Sequence, residues 1–376
     1  MLMKSRARRR SAPARPAAQH AGAEGPPLRV LLPRGLAALA RESGIGAAIR
    51  HQEKAVRALG HEVVTDPLGP FDVVHLNTPF PDTLLLALWA RLRRRPTLVW
   101  AHSTEDDFRD SFPGSNRLAP LFRRWIALLY RRGDTVVTPS EYSAQLISAP
   151  KYGLRAPIRV LSNGVDTRFF RPDPSARERL RDALGLPHEA AVVISVGMQL
   201  RRKGILDWVE LARQMPEVTF VWYGRTDPRL LTAEVERALA GAPANALFPG
   251  YVQAEQLREA YCGADAFCFL TKEETEGIVL WEALACGVPA LVRGIPLYRE
   301  AMPDGVLTHQ VTGDGPEFPG RVAAGLRALL DGELEDLTAA GRRAAEGVDL
   351  EEVAKRLQEI YRLAGVRPLR GVRNGA

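Results

Sequence analysis

The chain has 376 residues, 46% of them apolar and 25% charged, with a net charge of +7, seven histidines and three cysteines. That length and composition fit a soluble globular protein of two domains with an ample core, and no stretch approaches the roughly 20 apolar residues needed to cross a bilayer. The cysteines (Cys262, Cys268, Cys286) form no CxxC and the histidines no HxxxH, so neither a disulfide framework nor a metal site is expected, and the thiols read as buried and reduced in a cytosolic protein.

Residues 1–27 carry Lys4, Arg6, Arg8, Arg9, Arg10 and Arg15 against Glu24, which is five of the seven net charges. This tail is rich in Arg, Ala and Pro and lacks the apolar run of a secretory signal. It is expected to be disordered, with a basic arm on an anionic surface as the other reading. From residue 28 onward, apolar runs alternate with helical patterns. Strands are predicted at 28–32, 62–65, 72–76, 97–101, 135–138 and 158–161, and helices at 46–59, 82–94, 116–131 and 140–148. Residues 170–190, charged and carrying Pro172, Pro174 and Pro187, read as a hinge. The alternation resumes with strands at 192–196, 219–223, 246–248, 266–270, 290–292 and 306–308, and ends in helices at 319–331, 333–345 and 349–364. Strands alternating with helices predict parallel sheets covered on both faces. The fold class is therefore α/β, two Rossmann-like lobes facing each other across a cleft. The divisions are a tail (1–27), an N-terminal lobe (28–170), a C-terminal lobe (171–350), and a last helix and tail (351–376) returning to the first lobe.

Three segments carry chemistry. Arg41-Glu42-Ser43-Gly44-Ile45-Gly46 lies between the first strand and the first helix. Glycines there let a phosphate approach the helix N-terminus, although a bare tight turn uses the same residues. Arg201-Arg202-Lys203-Gly204 follows the first strand of the second lobe, where open α/β sheets bind ligands, and its cations suit an anion such as a diphosphate leaving group. The third is Glu273-Glu274-Thr275-Glu276-Gly277-Ile278-Val279-Leu280-Trp281-Glu282. Acids at a helix start suit the macrodipole, with Thr271 and Glu274 in capping-box spacing, and this accounts for Glu273, Glu274 and Glu276 without function. It does not account for Glu282, which sits in a run apolar nearly all round and needs donors from an Arg, a Lys or sugar hydroxyls. With a helix starting near Gly277, Glu274 and Glu282 face one elongated ligand.

The spacing from Glu274 to Glu282, followed by Ala-Leu-Ala-Cys-Gly-Val-Pro, resembles the E-x7-E motif of retaining GT4 glycosyltransferases of the GT-B fold. The resemblance covers about residues 28–364. It implies that Glu274 contacts the donor hexose, Glu282 the ribose, and Gly277 and Ile278 offer amides to the diphosphate. Lys203 and the Gly44–Gly46 loop would hold the diphosphate from opposite sides. Family members usually carry Arg where this chain has Met198, so either Arg201 or Arg202 supplies that charge. Ala101-His102-Ser103-Thr104-Glu105-Asp106-Asp107-Phe108-Arg109 and Asn163-Gly164-Val165-Asp166 add a closer resemblance to bacterial diacylglycerol α-glycosyltransferases. This implies a UDP-hexose donor (UDP-glucose or UDP-galactose), a diacylglycerol acceptor, and a histidine, His102, lining the cleft. His102, Lys203 and Glu274 are then the catalytic candidates. No cofactor or metal is expected, since cations take the charge-stabilising role, and no specific nucleic acid partner.

Residues 117–132, RLAPLFRRWIALLYRR, set Leu118, Leu121, Phe122, Trp125, Ile126, Leu129 and Tyr130 at helical spacing among Arg117, Arg123, Arg124, Arg131 and Arg132, with Arg91, Arg93, Arg94 and Arg95 nearby. A basic aromatic helix of this kind lies in an anionic lipid interface, with Arg117, Phe122, Arg123, Arg124 and Trp125 as the contacting residues. It equally packs its apolar side on a sheet. The membrane reading places the protein in the cytoplasm, on the inner face of the cell membrane. A GT4 enzyme with a soluble, polyprenyl or phosphoinositol-type acceptor would share every donor residue, and a non-catalytic basic protein binding membrane or nucleic acid is the remote alternative.

Overall fold

The computed structural model describes residues 26–368, and the basic-tail reading of residues 1–27 falls almost wholly outside them. In chain order the first lobe contains β1 (Arg29–Leu31), α1 (Gly44–Ala58), β2 (Glu62–Val64), β3 (Val73–Leu76), α2 (Pro81–Leu92), β4 (Thr97–Trp100), α3 (Glu105–Phe108), α4 (Ser115–Tyr130), β5 (Thr135–Thr138), α5 (Glu141–Ser148) and β6 (Ile158–Val160). The second contains α6 (Ala176–Leu184), β7 (Val192–Val196), α7 (Ile205–Gln214), β8 (Thr219–Tyr223), α8 (Ala233–Ala240), β9 (Ala246–Gly250), α9 (Ala254–Gly263), β10 (Ala266–Phe269), α10 (Ile278–Cys286), β11 (Ala290–Arg293), α11 (Pro296–Ala301), β12 (His309–Val311), α12 (Phe318–Leu330) and α13 (Thr338–Glu346). The last helix is α14 (Leu350–Leu363).

Each lobe has one six-stranded sheet, in the orders β2-β1-β3-β4-β5-β6 and β12-β11-β10-β7-β8-β9, with every pairing parallel. Central strands such as TVVT and VVISV are buried throughout, as helices on both faces require. Strand order reverses between β1 and β3 in the first sheet and between β7 and β10 in the second. At such points adjacent loops leave in opposite directions and open a crevice at the carboxyl ends of the strands.

The chain crosses between lobes twice, side by side. Val165 bridges Asp349, and Asp349 Oδ2 accepts from the Thr167 backbone (3.1 Å) and hydroxyl (2.6 Å). Helix α14 then packs Val353, Ala354, Leu357, Ile360 and Tyr361 into the first lobe's core, against Leu28, Val30, Leu98 and Trp100.

Two expectations are corrected. The last strand is residues 309–311, not 306–308. Residues 304–308 form a turn, in which Gly305 N donates to Thr308 O (3.0 Å) and Gln310 N to Asp304 Oδ1 (2.7 Å), so pairing begins one residue later. Residues 170–190 are not an irregular hinge. Their prolines flank α6 instead of interrupting it, and α6 is anchored by Arg181. That side chain is fully buried, pairs with Asp265 (2.6 Å) and donates to Ala190 O and Gly263 O. The cysteines are free thiols, with Cys268 and Cys286 buried but Cys262 only partly so.

Removing Arg181 takes one of two arginines from Asp265, which keeps Arg177, and leaves the Ala190 and Gly263 carbonyls without its donors. Arg181→Met is expected to lower stability by about 3 kcal/mol, read as a drop in urea midpoint with unchanged slope.

Candidate active site

The loops that leave either side of the second switch point carry the main cluster. After β7, Arg201–Lys203 make a single 3-10 turn; after β10, residues 271–277 form an irregular loop that runs into α10. Lys203 Nζ forms an ion pair with Glu274 Oε1, and Thr271 Oγ1 donates to the same oxygen (3.0 Å). Lys203 is therefore not the solvent-facing lysine that a charge run suggests. Burial lowers its pKa, and the Glu274 charge opposes that. Thr271 and Glu274 do interact, but not as a capping box: the helix begins at Ile278, beyond both.

Gly277 caps α10 at φ +89°, and a Cβ there would lie 2.4 Å from Tyr298 Oη, so no other residue fits. The first amides of α10, beginning with Ile278, face outward from the helix N-terminus beside Glu274. Glu282, one turn in, is 7% exposed. The donor sought for it is a tyrosine: Tyr261 Oη donates to Glu282 Oε2 (3.0 Å). Burial pushes the Glu282 carboxyl up to about 7, against the Tyr261 hydrogen bond and the charge of Arg50 on α1.

The two arginines point in different directions. Arg201 turns to the surface and pairs with Glu234 (3.1 Å), both half exposed, which removes it from the cluster. Arg202 donates to Glu273 O (3.0 Å) and to Ser111 Oγ on the first lobe (3.1 Å), so it stands in the cleft.

Glu273 and Glu276 are more than helix-start charges. Tyr142 Oη donates to Glu273 (3.0 Å). Glu276 accepts from Asn163 N (3.0 Å), Asn163 Nδ2 (2.7 Å) and the Ser162 hydroxyl. Between them, Ser140 Oγ donates to Thr275 O (2.7 Å) and Thr275 Oγ1 to His102 O (3.3 Å). Every one of these partners belongs to the first lobe, so the acidic loop lies clamped against it and the cleft is closed. Burial pushes Glu273 and Glu276 each up to about 7, against these hydrogen bonds. Asp107 caps α3 through Thr104 and is pushed up to about 6 by burial, opposed first by the Arg202 charge.

From the first lobe, His102 follows β4 and is buried, its Nε2 3.0 Å from Asn77 Oδ1. Burial lowers its pKa to about 4, so it is neutral near pH 7. Gly44 opens α1 facing free space, whereas a Cβ on Gly46 would lie 2.4 Å from Arg41 O. Gly46 is thus demanded by the turn itself, and Gly44 is the open approach to the helix N-terminus.

The expected membrane residues divide. Arg117 and Arg124 are exposed. Phe122 instead stacks on Phe108 (4.0 Å between rings), Trp125 Nε1 donates to Pro79 O (2.7 Å), and Arg123 pairs with Glu105 (3.1 Å). These three are spent on packing α4 to its own lobe. Large hydrophobic side chains are also exposed on this lobe. Leu85, Leu88 and Leu92 form an exposed stripe along α2, with Leu118 and Leu121 on α4 and Leu36, Leu39 and Leu68 on adjoining loops.

Two family models match consecutive parts of the chain, Glycosyltransferase Family 4 over residues 12–169 and Glycosyl transferases group 1 over residues 176–346. The processive diacylglycerol alpha-glucosyltransferase of Acholeplasma laidlawii is 36% identical over 274 residues, 73% of this chain and 81% of the relative. The alpha-galactosylglucosyldiacylglycerol synthase of Streptococcus pneumoniae is 28% identical over 68% of this chain and 70% of its own. Among solved structures, Anabaena HepE in complex with UDP-glucose matches with a TM-score of 0.66 at 18% identity, covering 89% of this chain and 100% of that one, which shows a shared GT-B architecture. The Lys203–Glu274 pair at the second lobe's switch point and the whole-chain likeness lead to one conclusion: this chain belongs to glycosyltransferase family 4 and is a hexosyltransferase.

Proposed function

We propose that this enzyme moves a hexose from UDP-glucose or UDP-galactose to the free hydroxyl of 1,2-diacylglycerol, with retention of configuration, while seated on an anionic membrane. The observation that carries the acceptor is the leucine face. Eight of the twelve large hydrophobic side chains exposed among the described residues lie between Leu36 and Leu121, on the first lobe. Three of them lie on α2, and two more are tied to its ends. Leu36 N donates to Asp82 in its first turn (2.8 Å), and Arg93 at its end donates to Leu68 O (3.2 Å). Exposed Arg91, Arg94, Arg117 and Arg124 border them. An apolar face edged with arginines matches the acyl and headgroup layers of an anionic bilayer. No helix among the described residues is long and apolar enough to cross a membrane, so contact would be peripheral.

On this reading Glu282 holds the ribose and Glu274 the hexose. Lys203 and Arg202 face the diphosphate, with the amides of Gly277, Ile278 and the Gly44–Gly46 turn completing its surroundings. The bond from C1 of the hexose to the diphosphate oxygen breaks, and C1 bonds to the diacylglycerol oxygen on the same face. The acceptor proton passes to the departing diphosphate. Buried cations stabilise the charge that develops there, which assigns them the part a metal plays in other transferases. The closed acidic loop excludes water that would hydrolyse the donor.

The direct test supplies the protein with liposomes of anionic lipid and diacylglycerol and with radiolabelled UDP-glucose and UDP-galactose in parallel. Label entering the lipid, with the α anomer by NMR, is the expected result; UDP release only with a soluble acceptor would refute the lipid reading. Lys203→Ala is expected to lower transfer by about 100-fold or more, the scale of losing one charge-stabilising group. Glu282→Gln should raise the Michaelis constant for UDP-hexose roughly tenfold, the worth of about one charged hydrogen bond. Replacing Leu85, Leu88 and Leu92 together by Ser should abolish liposome sedimentation. Each leucine is worth about 1.5–3 kcal/mol of burial, and since all three are exposed the fold should survive.

A further inference from the structure

A line of buried polar side chains runs through the first lobe and ends on His102. Tyr361 Oη on α14 lies 2.8 Å from His75 Nε2, and His75 Nδ1 lies 3.3 Å from Gln52 Oε1. The amides of Gln52 and Asn77 pair reciprocally, Gln52 Nε2 donating to Asn77 Oδ1 (2.7 Å) and Asn77 Nδ2 to Gln52 Oε1 (3.1 Å). Asn77 Oδ1 also meets His102 Nε2 at 3.0 Å. All five residues are buried, Tyr361 at 2% exposure and His75 at 0%. They come from α14, β3, α1 and the ends of β3 and β4, and the first link alone joins residues 286 positions apart.

Such a line has two self-consistent directions. In one, Tyr361 donates to His75, His75 Nδ1–H to Gln52, and His102 Nε2–H to Asn77. In the other, both amides are turned over, His75 donates to Tyr361, and Asn77 donates to His102. The two differ in what they leave at the end. The first leaves His102 Nδ1 bare, and the second leaves it protonated. Tyr361 breaks the tie. Its hydroxyl proton needs an acceptor when buried, and among the described residues His75 Nε2 is its one hydrogen-bond partner. In the second direction that proton is stranded. Both imidazoles are neutral near pH 7, their pKa values lowered by burial to about 3 and about 4, so each carries one ring proton to be placed.

We propose that Tyr361, acting through His75, Gln52 and Asn77, is a positioning residue that fixes His102 as the Nε2–H tautomer and so leaves Nδ1 an acceptor for a hydroxyl group in the cleft. A bare ring nitrogen takes a hydroxyl proton and repels phosphate oxygens, so His102 serves the hydroxyls of the reacting sugar or alcohol and not the diphosphate. The consequence for transfer rests on the cleft being the sugar-transfer site proposed above; the tautomer itself does not.

The experiment uses the full chain with 15N-labelled histidine. Ring nitrogen resonances are recorded by NMR, with His102 assigned by the peaks lost in His102→Asn. Wild-type protein should show His102 protonated at Nε2 alone, and a protonated Nδ1 in wild type overturns the proposal without any variant. Tyr361→Phe removes one oxygen and should give a mixed or shifted His102 tautomer. Transfer turnover should fall roughly tenfold, the scale of one net hydrogen bond, with the Michaelis constant for UDP-hexose little changed. A hydroxyl that only supports the fold would lower the melting temperature and leave the tautomer and the turnover per folded molecule unmoved, and that result also overturns it. If wild type transfers nothing from either UDP-hexose, the functional reading fails while the NMR comparison still decides the relay.

Discussion

The structure depends on how carboxylates are kept out of water. Glu273, Glu274, Glu276 and Glu282 occupy ten consecutive positions and all are largely shielded. A carboxylate taken from water without compensation is costly, so each must be met by donors. Glu274 has Lys203 and Thr271 from its own lobe, and Glu282 has Tyr261. Glu273 and Glu276 rely mainly on Tyr142, Ser162 and Asn163 across the cleft, with Trp281 of α10 also acting on Glu276. Opening the cleft would strip the donors from the second pair and leave the first pair intact. Glu274 and Glu282 are thus held by the lobe that carries them, and Glu273 and Glu276 report whether the lobes are together.

This division follows from the sheet topology. A parallel sheet puts all its carboxyl-end loops on one edge, and a reversal of strand order parts two of them. In the second lobe the parted loops follow β7 and β10, which carry Lys203 and Glu274. In the first lobe they follow β1 and β3, which carry the Gly44–Gly46 turn and Asn77. The two crevices face each other because α14 returns to the first lobe beside the other crossing segment, where Asp349 ties both.

The sequence made the architecture legible because buried parallel strands read as unbroken apolar runs between helical patterns. It failed at 306–308, where an apolar triplet lies in a turn, and at 170–190, where prolines that bound a helix resemble prolines that prevent one. The site was legible in part. Glu282 stood out as an acid in an apolar helix, a local contradiction that composition alone exposes. Glu276 did not, because an acid ahead of a helix already has a local explanation and its partners are over 110 residues away. The arginine pair was ambiguous because adjacent residues differ only in direction, and direction is set by Glu234 on one side and Ser111 on the other.

The leucine face and His102 are separated by one short connection. Asn77 ends β3 and pairs with Gln52 and His102; Thr78 bonds Thr83 in the first turn of α2 (3.0 Å); Pro79 accepts from Trp125 of α4; and α2 begins at Pro81. Residues 77–83 therefore join the helix that presents Leu85, Leu88 and Leu92 to the group that holds His102, with a hydrogen bond at nearly every step. Packing of this kind transmits position because it has little room to deform. A lobe seated by its leucines on a bilayer, as proposed, would carry His102 with it as one body, and the length of that connection and the tilt of α2 would then set the height of His102 above the lipid.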